Sequence, residues 1–188
     1  KLSANLGNET ITIPIKSLYD GYMEALSPVF QGKPFNLAEE NLQARSRAVL
    51  LMAISNKLGY ILLNTSNKSE LSVGYSTLYG DLCGAISVIG DVYKNQVYAL
   101  ARYINRNQEI IPVNIIEKAP SAELRPGQKD ADSLPDYDVL DELLKHYIEE
   151  KKGIEELITM GYDQTVVNKV VALVNASEYK RYQAPPIL

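Results

Sequence analysis

A chain of 188 residues, 46% hydrophobic and 22% charged, has the composition of an ordinary globular domain, and disorder, a collagen-like repeat and a disulfide scaffold are excluded. Lys and Arg total 19 against 23 Asp and Glu, a net charge of -4, so no global basic field draws nucleic acid to it. The single cysteine, Cys83, can form neither an internal disulfide nor a multi-cysteine zinc site, which points to a reducing compartment and leaves metals to oxygen ligands.

A chain of this size buries roughly 70% of the surface its unfolded form exposes, enough for one domain with a real core. Its longest strongly apolar run, Ala48 to Ile54, is far short of the roughly 20 residues of a membrane helix, and no signal peptide precedes it. The expected setting is therefore cytoplasmic, away from membranes. The chain opens at Lys1, and Leu2 to Gly7 reads as the end of a helix, so a portion of something longer is expected.

In chain order, Gly7 caps that first helix at the left-handed position, and Thr10 to Ile15 alternates β-branched residues as a strand does. Leu18, Tyr22 and Leu26 then recur at helical spacing until Pro28, Gly32 and Pro34 break the pattern. Leu37 to Lys57 reads as a long helix ended by Gly59. Its second half is apolar almost all round, as for an element buried beside a sheet. Tyr60 to Asn64 is a short apolar run typical of a parallel strand covered on both faces, and it leads through Thr65 and Ser66 into a new helix. A glycine-containing loop at residues 80–84, a short apolar piece at residues 86–89 and a helix from about Tyr93 to Asn105 follow.

Alternating helices and strands imply an α/β fold with an open parallel sheet. Residues 1–118 form its α/β part, residues 119–136 shift to Pro, Gly, Ser and charge as a loop, and residues 137–188 form a helical tail. In that tail Asp138 is expected to cap one helix and Asp163 another, the second carrying Val166, Val167, Val170, Val171 and Val174 on one side.

Several residues could carry chemistry. Thr65, Ser66, Asn67 and Glu70 stand where a buried strand turns into a helix, a place where free N–H groups and the helix dipole attract anions. The same spacing of Asn67 and Glu70 is a capping box, which needs no ligand. Asn41 and Arg45 lie four apart on one helix face and could grip a carboxylate or phosphate, or simply form a solvated first turn. Lys94, Lys180 and Arg181 could each contact phosphate or be surface charge. His146 has no partner and receives no role, and Cys83 reads as a small buried residue rather than a nucleophile.

Five strings occur together and in order: Asn41 to Arg47, Thr65 to Glu70, Tyr75 to Asp81, Pro120 to Pro126 and Glu178 to Pro186. They resemble consecutive motifs of the NAD+ synthetases, in forms closer to the long, glutamine-dependent enzymes than to the short, ammonia-dependent ones. The resemblance implies a Rossmann-like open parallel sheet with helices on both faces. It implies amidation of deamido-NAD+ in two steps, adenylation of the nicotinic acid carboxylate by ATP and displacement of AMP by ammonia, with Mg2+ on the phosphates.

It also implies roles. Glu70 matches a glutamate on magnesium and deamido-NAD+, Ser121 a hydroxyl residue near ATP and a second metal, and Thr65 an ATP contact. Asn41 and Arg45 match deamido-NAD+ contacts. Lys94 and Lys180 match phosphate-holding, catalytic lysines, Lys94 on ATP and Lys180 on deamido-NAD+, and Asp81 an acid near the ammonia and the nicotinic ring. The family assembles as homodimers or larger.

The family's pyrophosphate loop, Ser-Gly-Gly-x-Asp-Ser, is missing from this sequence, as are the two strands and two helices that precede Ala4 in the family and the glutaminase domain of the long form. The expectation is that this chain alone does not make NAD+, and that self-association covers the apolar surface the missing strands would otherwise cover. The alternatives are a non-catalytic dinucleotide-binding or dimerisation module of the same fold, and another adenylating enzyme such as GMP synthetase or a tRNA thiolase.

Overall fold

The computed structural model describes residues Lys1 to Leu188. Local capping signals set many of the helix boundaries. Gly7, at φ 68°, closes α1 (Leu2–Leu6). Asn36 opens α3 (Leu37–Leu58): its side chain accepts the Ala38 N–H while Glu39 accepts the Asn36 N–H, both at 2.8 Å, and Gly59 at φ 71° ends the helix. Between them, α2 (Lys16–Phe30) runs straight through Pro28. Pro28 was expected to end that helix. The helix tolerates it because Pro28 is exposed, so water can satisfy the carbonyl one turn back that loses its donor.

Two further expectations are corrected. Residues 10–15 form no strand: they pair with nothing, and Ile11 is 70% exposed. β-branched alternation suits a pleated surface, but a strand needs a neighbour to supply its hydrogen bonds. The second half of α3 is not buried either, since Val49, Leu51, Met52 and Leu58 all face out, as do Tyr60, Ile61 and Leu63.

The sheet is small. β1 (Leu63–Asn64) pairs in parallel with β2 (Ile86–Ser87), Leu63 opposite Ile86 and Asn64 opposite Ser87, and Ile187 adds a parallel bridge to Ser87. Asn64 is fully buried at this sheet and satisfied there. Its amide donates to the Asp81 carbonyl at 2.7 Å, and its oxygen accepts the Ser66 N–H and the Ser87 hydroxyl, each at 3.0 Å. A buried amide with its partners in place holds one geometry for the turn that follows β1.

That turn enters α4 (Lys68–Val73), and α5 (Lys94–Ile104) and α6 (Val113–Glu117) follow. Residues 119–136 carry a single 3-10 turn, Asp130–Asp132. The rest is helical: α7 (Tyr137–Leu144) continuing into a π turn at Lys145–Glu149, then α8 (Ile154–Thr159), α9 (Gln164–Ala176) and α10 (Glu178–Arg181). α7 starts two residues earlier than expected, with Asp136 at the cap position, so Asp138 lies in its first turn and caps nothing. Asp163 does cap α9, accepting the N–H groups of Thr165 at 2.8 Å and Val166 at 3.0 Å.

The core sits in this helical part. Leu140, Leu143, Leu144, Leu157, Val167 and Val170 have no exposure at all, and they pack with Val73 of α4 and Tyr93 before α5. Each such side chain contributes roughly 1.5–3 kcal/mol on burial. The architecture is thus α/β, with α4 and α5 joining the sheet to the helices. No helix is long and apolar enough to cross a membrane.

Candidate functional site

Two clusters of polar side chains meet around α4. The first begins with the capping box: Asn67 accepts the Glu70 N–H at 2.9 Å, and Glu70 Oε2 accepts the Asn67 N–H at 3.2 Å. This occupies only one carboxylate oxygen. The other, Oε1, takes Lys94 Nζ at 3.0 Å, with both side chains only 19–20% exposed. Glu70 therefore both caps a helix and holds a cation at the carboxyl end of β1. Burial pulls the Lys94 ammonium down, but the charge and hydrogen bond of Glu70, with Tyr98 and Asp130 adding to them, together more than offset it and hold Lys94 above the ordinary lysine value.

Lys94 is the first residue of α5, and its backbone is fixed from below. Its N–H donates to Ser69 Oγ at 2.9 Å, the Ser69 hydroxyl donates to Asp141, and the second oxygen of Asp141 accepts the Asn95 N–H at 2.8 Å. A carboxylate on α7 thus helps cap α5. Above, the Lys94 ammonium lies 5.4 Å from the centre of the Tyr137 ring, and the Tyr137 hydroxyl donates to buried Asp130 at 2.8 Å. Burial and the Asp130 charge hold the Tyr137 phenol far above its ordinary range.

The second cluster surrounds the segment after α4. Lys180 Nζ donates to the carbonyls of Gly74 at 2.8 Å and Ser76 at 2.6 Å. Burial pushes its ammonium below the ordinary lysine value, with Asp81 acting against that shift. Asp81 accepts the Thr77 N–H at 2.7 Å, the Thr77 hydroxyl donates to Asn41 at 2.8 Å, and Arg45 donates to the Leu78 carbonyl at 3.2 Å. Asn41, Arg45, Asp81 and Lys180, spread over the whole sequence, converge on residues 74–81.

Thr65 is exposed at the β1 to α4 turn. Ser121 accepts the Glu123 N–H at 3.0 Å and lines a polar cleft of about 600 Å3 with Gln43, Lys118, Arg125 and Lys129. It bonds to neither cluster. No three His, Cys, Asp or Glu side chains gather to hold a metal. The carboxylate and hydroxyl of Glu70 and Ser121 are hard oxygen donors of the kind magnesium takes, and magnesium ordinarily keeps waters and phosphate oxygens for the rest of its shell.

Cys83 is half-buried rather than buried, and burial raises its thiol. It lines an apolar cleft of about 780 Å3 with Val49, Met52, Leu82 and Pro185. His146 pairs with Glu150 at 2.9 Å and bonds to no residue of either cluster.

Sequence reasoning missed Ser69, Asp130, Tyr137 and Asp141. Ser69 lies inside a string already singled out, but Asp141 is 72 residues away from it, and no spacing rule connects them.

A family model described as NAD synthase matches residues 1–184. A glutamine-dependent NAD(+) synthetase from Synechocystis is 55% identical over 98% of this chain and 33% of its own length. Among solved structures, a glutamine-dependent NAD+ synthetase from Acinetobacter baumannii in complex with ADP is 44% identical, with a TM-score of 0.62, over 97% of this chain and 32% of that one. An NMN synthetase from Francisella tularensis gives a TM-score of 0.77 at 28% identity, over 95% of this chain and 66% of its own. The chain spans about a third of the length of the glutamine-dependent relatives.

Proposed function

The chain belongs to the NAD synthase family, and from that premise we propose that it is the carboxy-terminal part of a glutamine-dependent NAD+ synthetase acting in the cytoplasm as a homo-oligomer. The reaction is the ATP-dependent amidation of deamido-NAD+ through an adenylated carboxylate, with ammonia arriving directly or from glutamine. Activating a carboxylate while pyrophosphate departs concentrates negative charge, so the site needs fixed cations on phosphate oxygens. The observation that carries this reading is the pairing of Glu70 with Lys94 at the carboxyl end of β1, a half-buried acid and cation where a parallel sheet presents its ligands.

In this reading Lys94, Thr65 and Ser121 serve ATP. Asn41, Arg45, Glu70 and Lys180 serve deamido-NAD+, and Asp81 lies near the entering ammonia. Glu70 and Ser121 offer oxygens to Mg2+, which would neutralise phosphate charge when bound. Lys94, paired with Glu70 at 3.0 Å, is the cation that would contact a phosphate, and a magnesium held by Glu70 would supply the counter-charge for that carboxylate. The chain lacks the string Ser-Gly-Gly-x-Asp-Ser, so we infer that by itself it binds without turning over. A non-catalytic dinucleotide-binding or dimerisation module of the same fold is the second reading.

Calorimetric titration of the 188-residue chain with deamido-NAD+ and magnesium, against NAD+, tests the proposal. Saturable binding that weakens in Lys180→Ala supports it. A folded chain that binds neither dinucleotide, together with a complete protein that releases no pyrophosphate from ATP and deamido-NAD+, would overturn it.

A further inference from the structure

Asp130 is the most deeply buried acidic residue of the chain, at 3% exposure. A carboxylate taken out of water is costly, and an apolar side chain of similar volume would pack there more cheaply. No lysine or arginine forms an ion pair with it. Oδ2 accepts the Tyr137 hydroxyl at 2.8 Å, and Oδ1 has no partner. The nearby Tyr75 hydroxyl is also buried and makes no full hydrogen bond, its phenol raised by burial and by the charge and acceptor oxygen of Asp130 beside it. Such a group does something that apolar packing cannot, namely provide a fixed acceptor and a local negative potential.

Asp130 reaches two places, one through its carboxylate and one through its main chain. The Tyr137 ring that Asp130 anchors lies 5.4 Å from Lys94 Nζ. A ring face attracts an ammonium, and it does so reproducibly only if the ring is held. The Asp130 main chain also ties down its own segment: its N–H donates to the Pro120 carbonyl at 3.0 Å, next to Ser121, and its carbonyl accepts the Leu134 N–H at 2.9 Å.

We propose that Asp130 is a positioning residue that registers Lys94 and Ser121 against each other, holding the first through the Tyr137 hydroxyl and ring and the second through the Pro120 carbonyl. The proposal rests on the reading of Lys94 and Ser121 as the ATP side of the site. It adds that two segments from different parts of the chain are set by one buried residue, the Tyr137 side by its carboxylate and the Pro120 side by its main chain. The hydrogen bonds that tie Asn41, Arg45, Asp81 and Lys180 to residues 74–81 do not involve Asp130, although Tyr75 of that segment lies beside it.

The test uses Tyr137→Phe, which keeps the ring and its volume and deletes only the hydroxyl, alongside Asp130→Asn. In the 188-residue chain, the NMR signal of the Lys94 ε-methylene, identified by its loss in Lys94→Arg, reports where the Tyr137 ring lies. It is expected to move in both variants while the methyl signals of Val167 and Val170 stay in place. A signal that does not move in a folded Tyr137→Phe chain overturns the proposal.

In the complete synthetase, Tyr137→Phe is expected to raise the KM for ATP by about tenfold with little change in the KM for deamido-NAD+, and equal changes in both would refute a role confined to the ATP side. If Lys94→Ala leaves the KM for ATP unaltered while the NMR signal still responds to Tyr137→Phe, the positioning of Lys94 stands and its assignment to ATP fails.

Discussion

Ser69 on α4 and Asp141 on α7 share a hydrogen bond across 72 residues of sequence, and through it the two helices fix the start of α5. Ser69 has no exposure, and Asp141 only 5%. Burial raises the Asp141 carboxyl above the ordinary aspartate value, although its bonds to Ser69 and Asn95 act the other way. Deleting the hydroxyl in Ser69→Ala leaves a buried acceptor short of a donor and removes the acceptor for the Lys94 N–H. We expect a loss of roughly 1–3 kcal/mol. Urea unfolding of the two chains checks this, and an unchanged midpoint would show that the bond contributes nothing.

Gly74 closes α4 at φ 67°, and a Cβ placed there would meet Ser177 Oγ at 2.1 Å. Its carbonyl is one of the two that hold Lys180. Gly74→Ala combines backbone strain with a side-chain clash against α10. It is expected to cost more than about 1 kcal/mol and to weaken dinucleotide binding beyond what the stability loss explains. Denaturation and calorimetry on the same preparation separate the two effects.

Lys180 carries a pH prediction. Its ammonium is depressed by burial against the attraction of Asp81, so in the free chain it loses its proton at lower pH than an exposed lysine. Only the charged form attracts phosphate. Deamido-NAD+ affinity is therefore expected to fall as pH rises through that depressed value, below the ordinary 10.5. Lys180→Arg, which stays protonated at all these pH values, should remove the alkaline limb. A limb unchanged in the arginine variant would assign it to another group.

In the complete synthetase, Glu70→Ala, Lys94→Ala and Lys180→Ala should each cut kcat/KM by 100-fold or more, on the order of 3 kcal/mol of transition-state stabilisation. His146→Ala, which removes only a pairing with Glu150, should change it by less than about twofold. Steady-state assays that found all four equal would discredit the site.

The exposed apolar side chains of Val49, Leu51, Met52, Tyr60, Ile61 and Leu63 lie along the second half of α3 and the start of the sheet, where one strand edge is also open. Apolar surface and free strand edges drive association. Sedimentation of the 188-residue chain should show a dimer or larger that shifts toward monomer in Met52→Ser. A monomer at all concentrations would remove self-association from the proposed function.

What the sequence determined by itself is what short-range chemistry determines. The cap at Gly7, the span of α3 between Asn36 and Gly59, the Asn67 and Glu70 box and the Asp163 cap depend on residues within a few positions of one another. The family was legible too, in five strings whose order survives any reading of the fold.

Only the tertiary structure decided which apolar residues are inside. The valines of α9 and the apolar half of α3 look alike in sequence, yet Val170 is fully buried and Val49 is 59% exposed, because burial depends on whether another element arrives to cover a face. It also decided that Lys94 meets Glu70 and that Asp130, Tyr137 and Asp141 stand behind them. Those contacts join residues far apart in sequence, and their energy exists only once loops have closed and water has left.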